Sequence, residues 1–296
     1  MKLPEVIDLH MHSTASDGTD SPKEIMENVR SAGIQLFALT DHDGIAGVSE
    51  LRKLRSEQPE LSEGLLFLNG IEFSCRDKLG KYHILGFGYD EHAEIMNKTV
   101  DVAHENRLQK VELRLQFIKE EFGFEFEQKD IDALFRNHNP GKPHIANLMI
   151  KYGYAKDITD AIKNYLNKKK IPNVYLTPEK AIDTILKSGG VPVLAHPTYG
   201  DGDQLIMGEE MDERLKRLKD AGLKGVEAYY SGFTPKFTNE LLEFADKYDF
   251  YVTAGSDYHG KNKLIELGET NLDAVSEASE KLHVFLEYVI ESGKAY

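Results

Sequence analysis

The sequence predicts an α/β fold built on a mostly parallel sheet or barrel that is interrupted by a helical insertion. Seven short apolar runs have the composition of buried strands, because they are rich in valine, isoleucine, leucine and aromatic residues. Several are separated by segments with helix signals, and strand–helix–strand alternation is typical of parallel sheets covered on both faces. Between the fourth and fifth runs this alternation stops, and the sequence reads as successive helices.

The seven candidate strands are EVIDLH (5–10), QLFALT (35–40), LLFLNGIE (65–72), YHILGFG (82–88), GVPVLAH (190–196), GVEAYY (225–230) and FYVTAGSD (250–257). Two of the intervening helices have clear boundaries. In SPKEIMENVRSAG, Ser21 is the expected N-cap, Pro22 suits the first turn and Gly33 ends the helix. TPEKAIDTILKSGG repeats this design from Thr177 to Gly189.

Residues 91–172 are predicted to form the helical insertion, and residues 1–90 and 173–296 the barrel. The insertion has four candidate helices, which are NKTVDVAHENRLQKVELRLQFIKEEFG, EQKDIDALFRN, KPHIANLMIKYG and KDITDAIKNYLNKK. We expect this insertion to lie over the substrate site as a cap.

Charge and composition restrict the partners and the compartment. The formal net charge of −14 argues against duplex DNA, which requires clustered lysine and arginine. It leaves anionic substrates open, because bound divalent ions reverse the local field. No apolar run approaches the roughly 20 residues that span a membrane. The single cysteine, Cys75, fits a reducing compartment. We therefore expect a cytoplasmic protein, either a monomer or a weak homo-oligomer.

Side chains of metal-ligating types lie at or next to the ends of these strand-like runs. His10 and His12 end the first run, and their spacing of two turns both imidazoles to one side of a strand. The complete set is His10, His12, Asp17, His42, Glu72, His83, His196, Asp257 and His259. In a parallel barrel the carboxyl ends of the strands share one face, so these side chains should converge there. His83 instead begins its run, which predicts that the fourth strand runs against its neighbours.

Each motif alone is a weak indicator of metal binding, because a lone H-x-H pair more often consists of two surface histidines or of two histidines whose hydrogen bonds are satisfied within the protein. However, six of the 11 histidines stand at strand ends, and burying so many polar groups without compensation is costly. Divalent ions would supply that compensation. The set exceeds the roughly four ligands of zinc and the about five or six of manganese or iron, so it implies two to three Mn²⁺, Fe²⁺ or Zn²⁺ ions.

Clustered divalent ions suit the hydrolysis of phosphate esters. They lower the pKa of a bridging water to give hydroxide, and they stabilise charge on the attacking and leaving oxygens. The residues alone leave three kinds of protein open: a phosphoesterase, an amidohydrolase-like C–N hydrolase, and a non-catalytic metal-binding module.

The ordered series H-x-H-(x4)-D, T-D-H-D, G-x-E, H-x-L-G, A-H-P and G-S-D-x-H resembles the PHP (polymerase and histidinol phosphatase) family over nearly the whole chain. This resemblance implies a distorted (βα)7 barrel with a trinuclear metal site. DLHMHSTASDGTDSP and ALTDHDGIAG are similar to a branch with a helical insertion, whose members remove phosphate from nucleoside 3′,5′-bisphosphates or trim short RNA from the 5′ end. The implied activity is metal-dependent hydrolysis of nucleotide phosphate monoesters, with a nucleotide or short oligonucleotide as partner. Histidinol phosphate is the alternative substrate.

The resemblance also assigns roles to the residues. It implies a first metal on His10, His12, Glu72 and Asp257, a second on Glu72, His83 and His196, and a third on Asp17, His42 and His259. Five of these residues, His10, His12, Asp17, Asp257 and His259, are the implied catalytic residues.

The insertion of that branch carries an R-x-H-(I/F)-A motif, and this chain has GKPHIANLMIKYG in its place. Lys142 therefore stands where arginine is expected, and lysine cannot make the planar bidentate contact with phosphate. Lys142 and His144 are the implied phosphate-binding residues, and His144 is a candidate general acid.

Overall fold

The computed structural model describes residues 2–137, 139–169, 171, 174–201, 204–272 and 279–296. Seven strands in these ranges form one sheet in sequential order: β1 (Ile7–Asp8), β2 (Leu36–Leu39), β3 (Leu66–Asp77), β4 (Gly80–Phe87), β5 (Val191–Leu194), β6 (Gly225–Tyr230) and β7 (Tyr251–Gly255). The sheet curls into a nearly closed barrel, because the backbone N–H of Leu9 donates to the carbonyl of Ala254 at 2.9 Å, and that of Asp257 to His10 at 2.8 Å. The expected α/β barrel is confirmed.

Strand β4 is antiparallel to both β3 and β5, while the remaining neighbours pair in parallel. The expected reversal of the fourth strand is thus confirmed. The prediction that Glu72 ends the third strand is wrong, because β3 continues to Asp77 by pairing with the first half of β4. Glu72 nevertheless lies level with the loop after β2, where it forms a parallel bridge with His42.

The helices of the described residues are α1 (Pro22–Ser31), α2 (Ala46–Glu57), α3 (Glu94–Phe122), α4 (Gln128–Phe135), α5 (Lys142–Lys151), α6 (Ile158–Asn164), α7 (Pro178–Lys187), α8 (Gly208–Asp220), α9 (Pro235–Tyr248) and α10 (Glu280–Glu291). Ser21 forms a capping box with Glu24, and the hydroxyl of Thr177 accepts a hydrogen bond from the N–H of Lys180. Gly33 follows α1 with a φ of 71°, which a glycine adopts without strain. The expected boundaries of α1 and α7 are confirmed.

Helices α3 to α6 lie between β4 and β5 and share an apolar cluster of their own, which includes Val111, Ile118, Ile145 and Met149. Helix α3 also contacts α7, because the hydroxyl of Thr99 on α3 lies 3.0 Å from the hydroxyl of Thr184 on α7. The expected boundary between residues 172 and 173 lies outside the described residues, so the division into domains stays a prediction. No helix in the described ranges is long and apolar enough to cross a membrane.

Candidate metal centre and cationic cavity

The nine side chains singled out in the sequence converge at one end of the barrel, and we call them the ligand cluster. Glu72 stands at its middle. One carboxylate oxygen, Oε2, lies 2.9 Å from Nδ1 of His42 and 3.2 Å from Nε2 of His12. The other, Oε1, lies 2.6 Å from Nδ1 of His83 and 3.2 Å from Nε2 of His196. The most exposed side chain of the cluster, His196, is only 15% exposed, so the cluster is buried as a whole.

Three sets of ligand atoms in this cluster are each close enough to share an ion, with all atoms of a set within 4.8 Å of one another. The sets are His12, Asp17, His42 and His259; His10, His12 and Asp257; and His42, Glu72 and His83. His12 and His42 each belong to two sets. The three sets therefore overlap at these two histidines.

Five buried atoms of the ligand cluster make no hydrogen bond to any residue that the structure describes. They are His10 Nε2, His12 Nε2, Asp17 Oδ1, His42 Nδ1 and Glu72 Oε2. His42 Nδ1 and Glu72 Oε2 are 2.9 Å apart but are not aligned for a hydrogen bond. Each unsatisfied buried polar atom costs about 1–3 kcal/mol. Because all five are nitrogen or carboxylate oxygen atoms directed into one space, the cluster fits divalent ions.

The protonation states of Glu72, His83 and His259 suit metal binding. In contrast, burial lowers the pKa of His10 and His12 but neighbouring carboxylates raise it more, so these two must lose a proton when a metal binds. Burial raises the pKa of the Glu72 carboxyl, but His42, His83 and His10 lower it more, so its pKa lies well below the usual range. Burial holds the pKa of His83 well below its ordinary value. Burial, helped by Lys263, lowers the pKa of His259 to about 4. At neutral pH the carboxylate is therefore ionised and these two imidazoles are neutral, which is the form that binds a metal.

A residue outside the expected set, Glu227 on β6, orients two members of the cluster. Its Oε1 lies 2.9 Å from Nδ1 of His10, and its Oε2 accepts a hydrogen bond from the backbone N–H of His196 at 2.8 Å. The first contact leaves Nε2 of His10 free for a metal, as outer carboxylates commonly do for ligating histidines. Sequence reasoning missed Glu227, although an acidic residue inside the apolar run GVEAYY was a usable signal.

Asp257 is held in a similar way. Tyr230 donates its hydroxyl hydrogen to Oδ2 at 2.9 Å, and the ammonium of Lys263 contacts the same oxygen. Oδ1 is left facing His12, 3.3 Å from its Nε2. The φ of Asp257 is 59° and that of His196 is 28°, a left-handed conformation that few non-glycine residues adopt. Such strained positions concentrate at functional sites.

A cavity of about 580 Å³ adjoins the ligand cluster, with Asp17, His42, His83 and His259 in its wall. Eight cationic residues line it: Arg76, Lys81, Arg107, Lys110, Arg114, Lys142, Lys169 and Lys263. We call this space the cationic cavity. Two aspartates, Asp17 and Asp201, also line it, so cationic residues predominate in its wall while the chain as a whole has a net charge of −14. A cavity of this charge attracts anions.

The two residues expected to bind phosphate occupy different surroundings. Lys142, at the first turn of α5, lines the cationic cavity and donates a hydrogen bond to Asn167 at 2.5 Å. His144 is absent from the described cavity wall, and its Nδ1 accepts a hydrogen bond from the N–H of Gly141 at 3.0 Å. His144 thus caps the helix that carries Lys142. Burial lowers the pKa of His144, which favours its neutral form.

Comparison with known proteins agrees with this geometry. The family model described as PHP domain matches residues 8–294. Among curated proteins, the chain is 28% identical to a 3′,5′-nucleoside bisphosphate phosphatase from Chromobacterium violaceum, over 86% of this chain and 87% of the relative. It is 29% identical to a 5′-3′ exoribonuclease from Haemophilus influenzae, over 90% and 94% of the two chains.

A third curated relative, a phosphoribosyl 1,2-cyclic phosphate 1,2-diphosphodiesterase from Eggerthella lenta, is 29% identical over 86% of this chain and 94% of its own length. Among solved structures, a protein from Bifidobacterium adolescentis assigned as a metal-dependent phosphoesterase superposes with a TM-score of 0.79. It is 28% identical, and the match covers 96% of this chain and 97% of that one. The chain therefore belongs to the PHP domain family and is a metal-dependent phosphoesterase.

Proposed function

We propose that this phosphoesterase hydrolyses phosphate monoesters of nucleotides, with a nucleoside 3′,5′-bisphosphate or the 5′ end of a short oligonucleotide as substrate. The observation that carries the proposal is the cationic cavity beside the ligand cluster, because eight cations around one space suit a substrate with more than one negative charge. The activities of two relatives, a bisphosphate phosphatase and an exoribonuclease, support the same substrate class.

We further propose that the ligand cluster holds two to three divalent ions, Mn²⁺, Fe²⁺ or Zn²⁺. The proposed ligands are His10, His12, Asp17, His42, Glu72, His83, His196, Asp257 and His259. All but His196 belong to the three sets of neighbouring atoms, and His196 adjoins the third set through Glu72. When bound, such ions lower the pKa of a water ligand and polarise the phosphoryl oxygens. Sites made of histidine and carboxylate accept all three metals, so availability decides which is used.

The remaining residues orient the substrate and the ligands. Lys142 binds a phosphate oxygen as a point charge, since a lysine presents no planar pair of donors. His144 fixes the first turn of α5 through its contact with Gly141 and thereby positions Lys142. Glu227 orients His10, and Tyr230 with Lys263 orients Asp257, so that Nε2 of His10 and Oδ1 of Asp257 face the space between the ligands.

The test is hydrolysis by the Mn²⁺-loaded protein of four esters: adenosine 3′,5′-bisphosphate, AMP, histidinol phosphate and a 5′-phosphorylated dinucleotide. We expect preferential hydrolysis of the bisphosphate or the dinucleotide. Hydrolysis of histidinol phosphate alone would refute the proposed nucleotide substrate but not the proposed metal centre. The chelator-treated protein is the control, and it should release nothing.

We also propose that the protein works in the cytoplasm as a monomer or a weak homo-oligomer. Its single cysteine, Cys75, is buried as a free thiol, which suits a reducing compartment. Sedimentation velocity over a range of concentrations tests the oligomeric state, and a stable higher oligomer at low concentration would contradict it.

A further inference from the structure

Helix α3 carries three cations toward the cationic cavity, namely Arg107, Lys110 and Arg114, which we call the α3 cation row. Each is only 5–6% exposed. The guanidinium of Arg107 pairs with Asp43, its Nε lying 2.9 Å from Oδ2. Lys110 and Arg114 have no carboxylate within 4.0 Å among the residues that the structure describes, and Nε of Arg114 lacks any hydrogen-bond acceptor there. Burying a cation without a counter-charge costs folding free energy. A bound anion would reduce this cost at Lys110 and Arg114.

The first member of the row, Arg107, lies near the ligand cluster, and all three members line the cavity that adjoins the cluster. Spacings of three and four residues place its members on one helix face, about 4.5 Å and 10.5 Å along the axis from Arg107. At the inner end, a side chain on Gly141 would approach Nη1 of Arg107 to 2.8 Å and Oδ2 of Asp17 to 3.6 Å. Arg107 is therefore a near neighbour of Asp17, a proposed metal ligand, and Lys110 and Arg114 follow it along the helix.

Other cationic residues lie near the row in the wall of the cationic cavity. Nζ of Lys110 lies 4.3 Å from the centre of the Tyr175 ring, and the guanidinium of Arg76 lies 5.5 Å from it. Burial lowers the pKa of both Lys110 and Lys142 to about 7. Neighbouring cations add to this effect at both residues, and Asp43 opposes it at Lys110. The positive charges thus crowd one another, which is the arrangement that an anion relieves on binding.

We propose that Lys110 and Arg114 form a second anion subsite, which binds a non-reacting phosphate of the substrate while the reacting phosphate lies at the ligand cluster. This inference rests on the proposed function and deepens it. It makes two phosphate groups on one substrate the basis of specificity. Tyr175 is the only tyrosine or phenylalanine in the described wall of the cavity, and it already contacts two cations. Phosphates, rather than the base, are therefore the recognised groups.

The first test compares kcat/KM for adenosine 3′,5′-bisphosphate with that for adenosine 3′-monophosphate. We expect the Mn²⁺-loaded wild type to prefer the bisphosphate, and K110M and R114M to reduce that preference roughly tenfold or more, the value of a hydrogen bond to a charged group. R114K should retain more of the preference for the bisphosphate than R114M, because lysine keeps the positive charge. The matched control is K119M, because Lys119 lies on the same helix but is 65% exposed and pairs with Glu125. An unchanged preference in both K110M and R114M would overturn the subsite.

A second test separates this inference from the proposed function. The dissociation constant of 5′-AMP from the Mn²⁺-loaded full chain is measured by calorimetry, with circular dichroism to show that each variant is folded. We expect roughly tenfold weaker binding in K110M and R114M, and wild-type binding in K119M. If AMP binding depends on Lys110 and Arg114 while no ester is hydrolysed, the proposed function fails and the subsite stands. Equal binding by all variants refutes the subsite, whatever the activity.

Discussion

The carboxylate of Glu227 contacts the imidazole of His10 on the side away from the metal centre, with Oε1 2.9 Å from Nδ1. This contact directs Nε2 of His10 toward Glu72 and Asp257, whose nearest oxygens are 3.4 Å and 3.6 Å away. An amide at position 227 would preserve the shape but lose the charge that fixes the tautomer.

We therefore expect E227Q to weaken Mn²⁺ binding about 10–100-fold, the usual effect of removing such an outer carboxylate. Calorimetric titration of the chelator-treated protein with Mn²⁺ measures it. E243Q is the control, because Glu243 is an exposed residue of α9. Wild-type affinity in E227Q would show that His10 is oriented by its surroundings alone.

Removing a ligand should abolish turnover without unfolding the chain. H12A deletes a proposed ligand that two of the three atom sets share. For Asp257, D257N is the better variant, because asparagine tolerates the φ of 59° more readily than alanine does. Both variants should lose measurable hydrolysis while their circular dichroism spectra stay unchanged. H92A should keep full activity, since His92 is 83% exposed and outside the cluster. Turnover by H12A would refute its place among the ligands.

The sequence alone predicted the barrel because strand composition and helix caps are local properties. Ser21 and Thr177 specify their helices within one turn of chain, so those boundaries could be read directly. The extent of β3 could not, because residues beyond Glu72 are strand only through pairing with β4. Arg107, Lys110 and Arg114 had readable helical spacing, but which face of α3 meets the cavity depends on long-range packing. Their contribution to the site therefore required the structure.

The buried charge of Lys110 should make stability depend on pH. Its pKa is about 7 in the folded chain and 10.5 for an ordinary lysine, so between these values the unfolded chain binds one more proton. Stability therefore rises with pH through this window, and it is lost as the pH falls toward 7. K110M lacks this dependence. From pH 7 to 10, we expect the wild type to gain on the order of 2–4 kcal/mol relative to K110M.

Urea unfolding of the two chelator-treated proteins at several pH values measures this difference. K119M is again the control, because the exposed Lys119 should leave the wild-type pH dependence unchanged. A difference between wild type and K110M that is constant with pH would contradict the low pKa of Lys110.

The ion pair between Asp43 and Arg107 joins the loop after β2 to the insertion. Both residues are buried, and Asp43 also accepts a hydrogen bond from the N–H of Ser74 at 2.7 Å. D43N would leave Arg107 buried without a counter-charge, which we expect to cost about 3–5 kcal/mol of unfolding free energy. The double variant D43N/R107M should lose less than the sum of the single variants, because it removes both charges.

Denaturant unfolding of the four proteins in this cycle measures the coupling. E94Q, which breaks the exposed pair between Glu94 and Lys98, should change stability by about 0.5 kcal/mol or less. Additive effects of D43N and R107M would show that the two charges act independently.

The closure of the barrel between β1 and β7 has a consequence for biosynthesis. His10 follows β1 and Asp257 follows β7, and they meet only when these two strands are side by side. A nascent chain on the ribosome therefore lacks some of the proposed ligands until translation has passed β7 and His259. Contacts so distant in sequence also form slowly, because a long loop must be closed first. We therefore expect metal uptake to follow the translation of β7, and hydrolytic activity to report that the barrel from β1 to β7 has been made and folded.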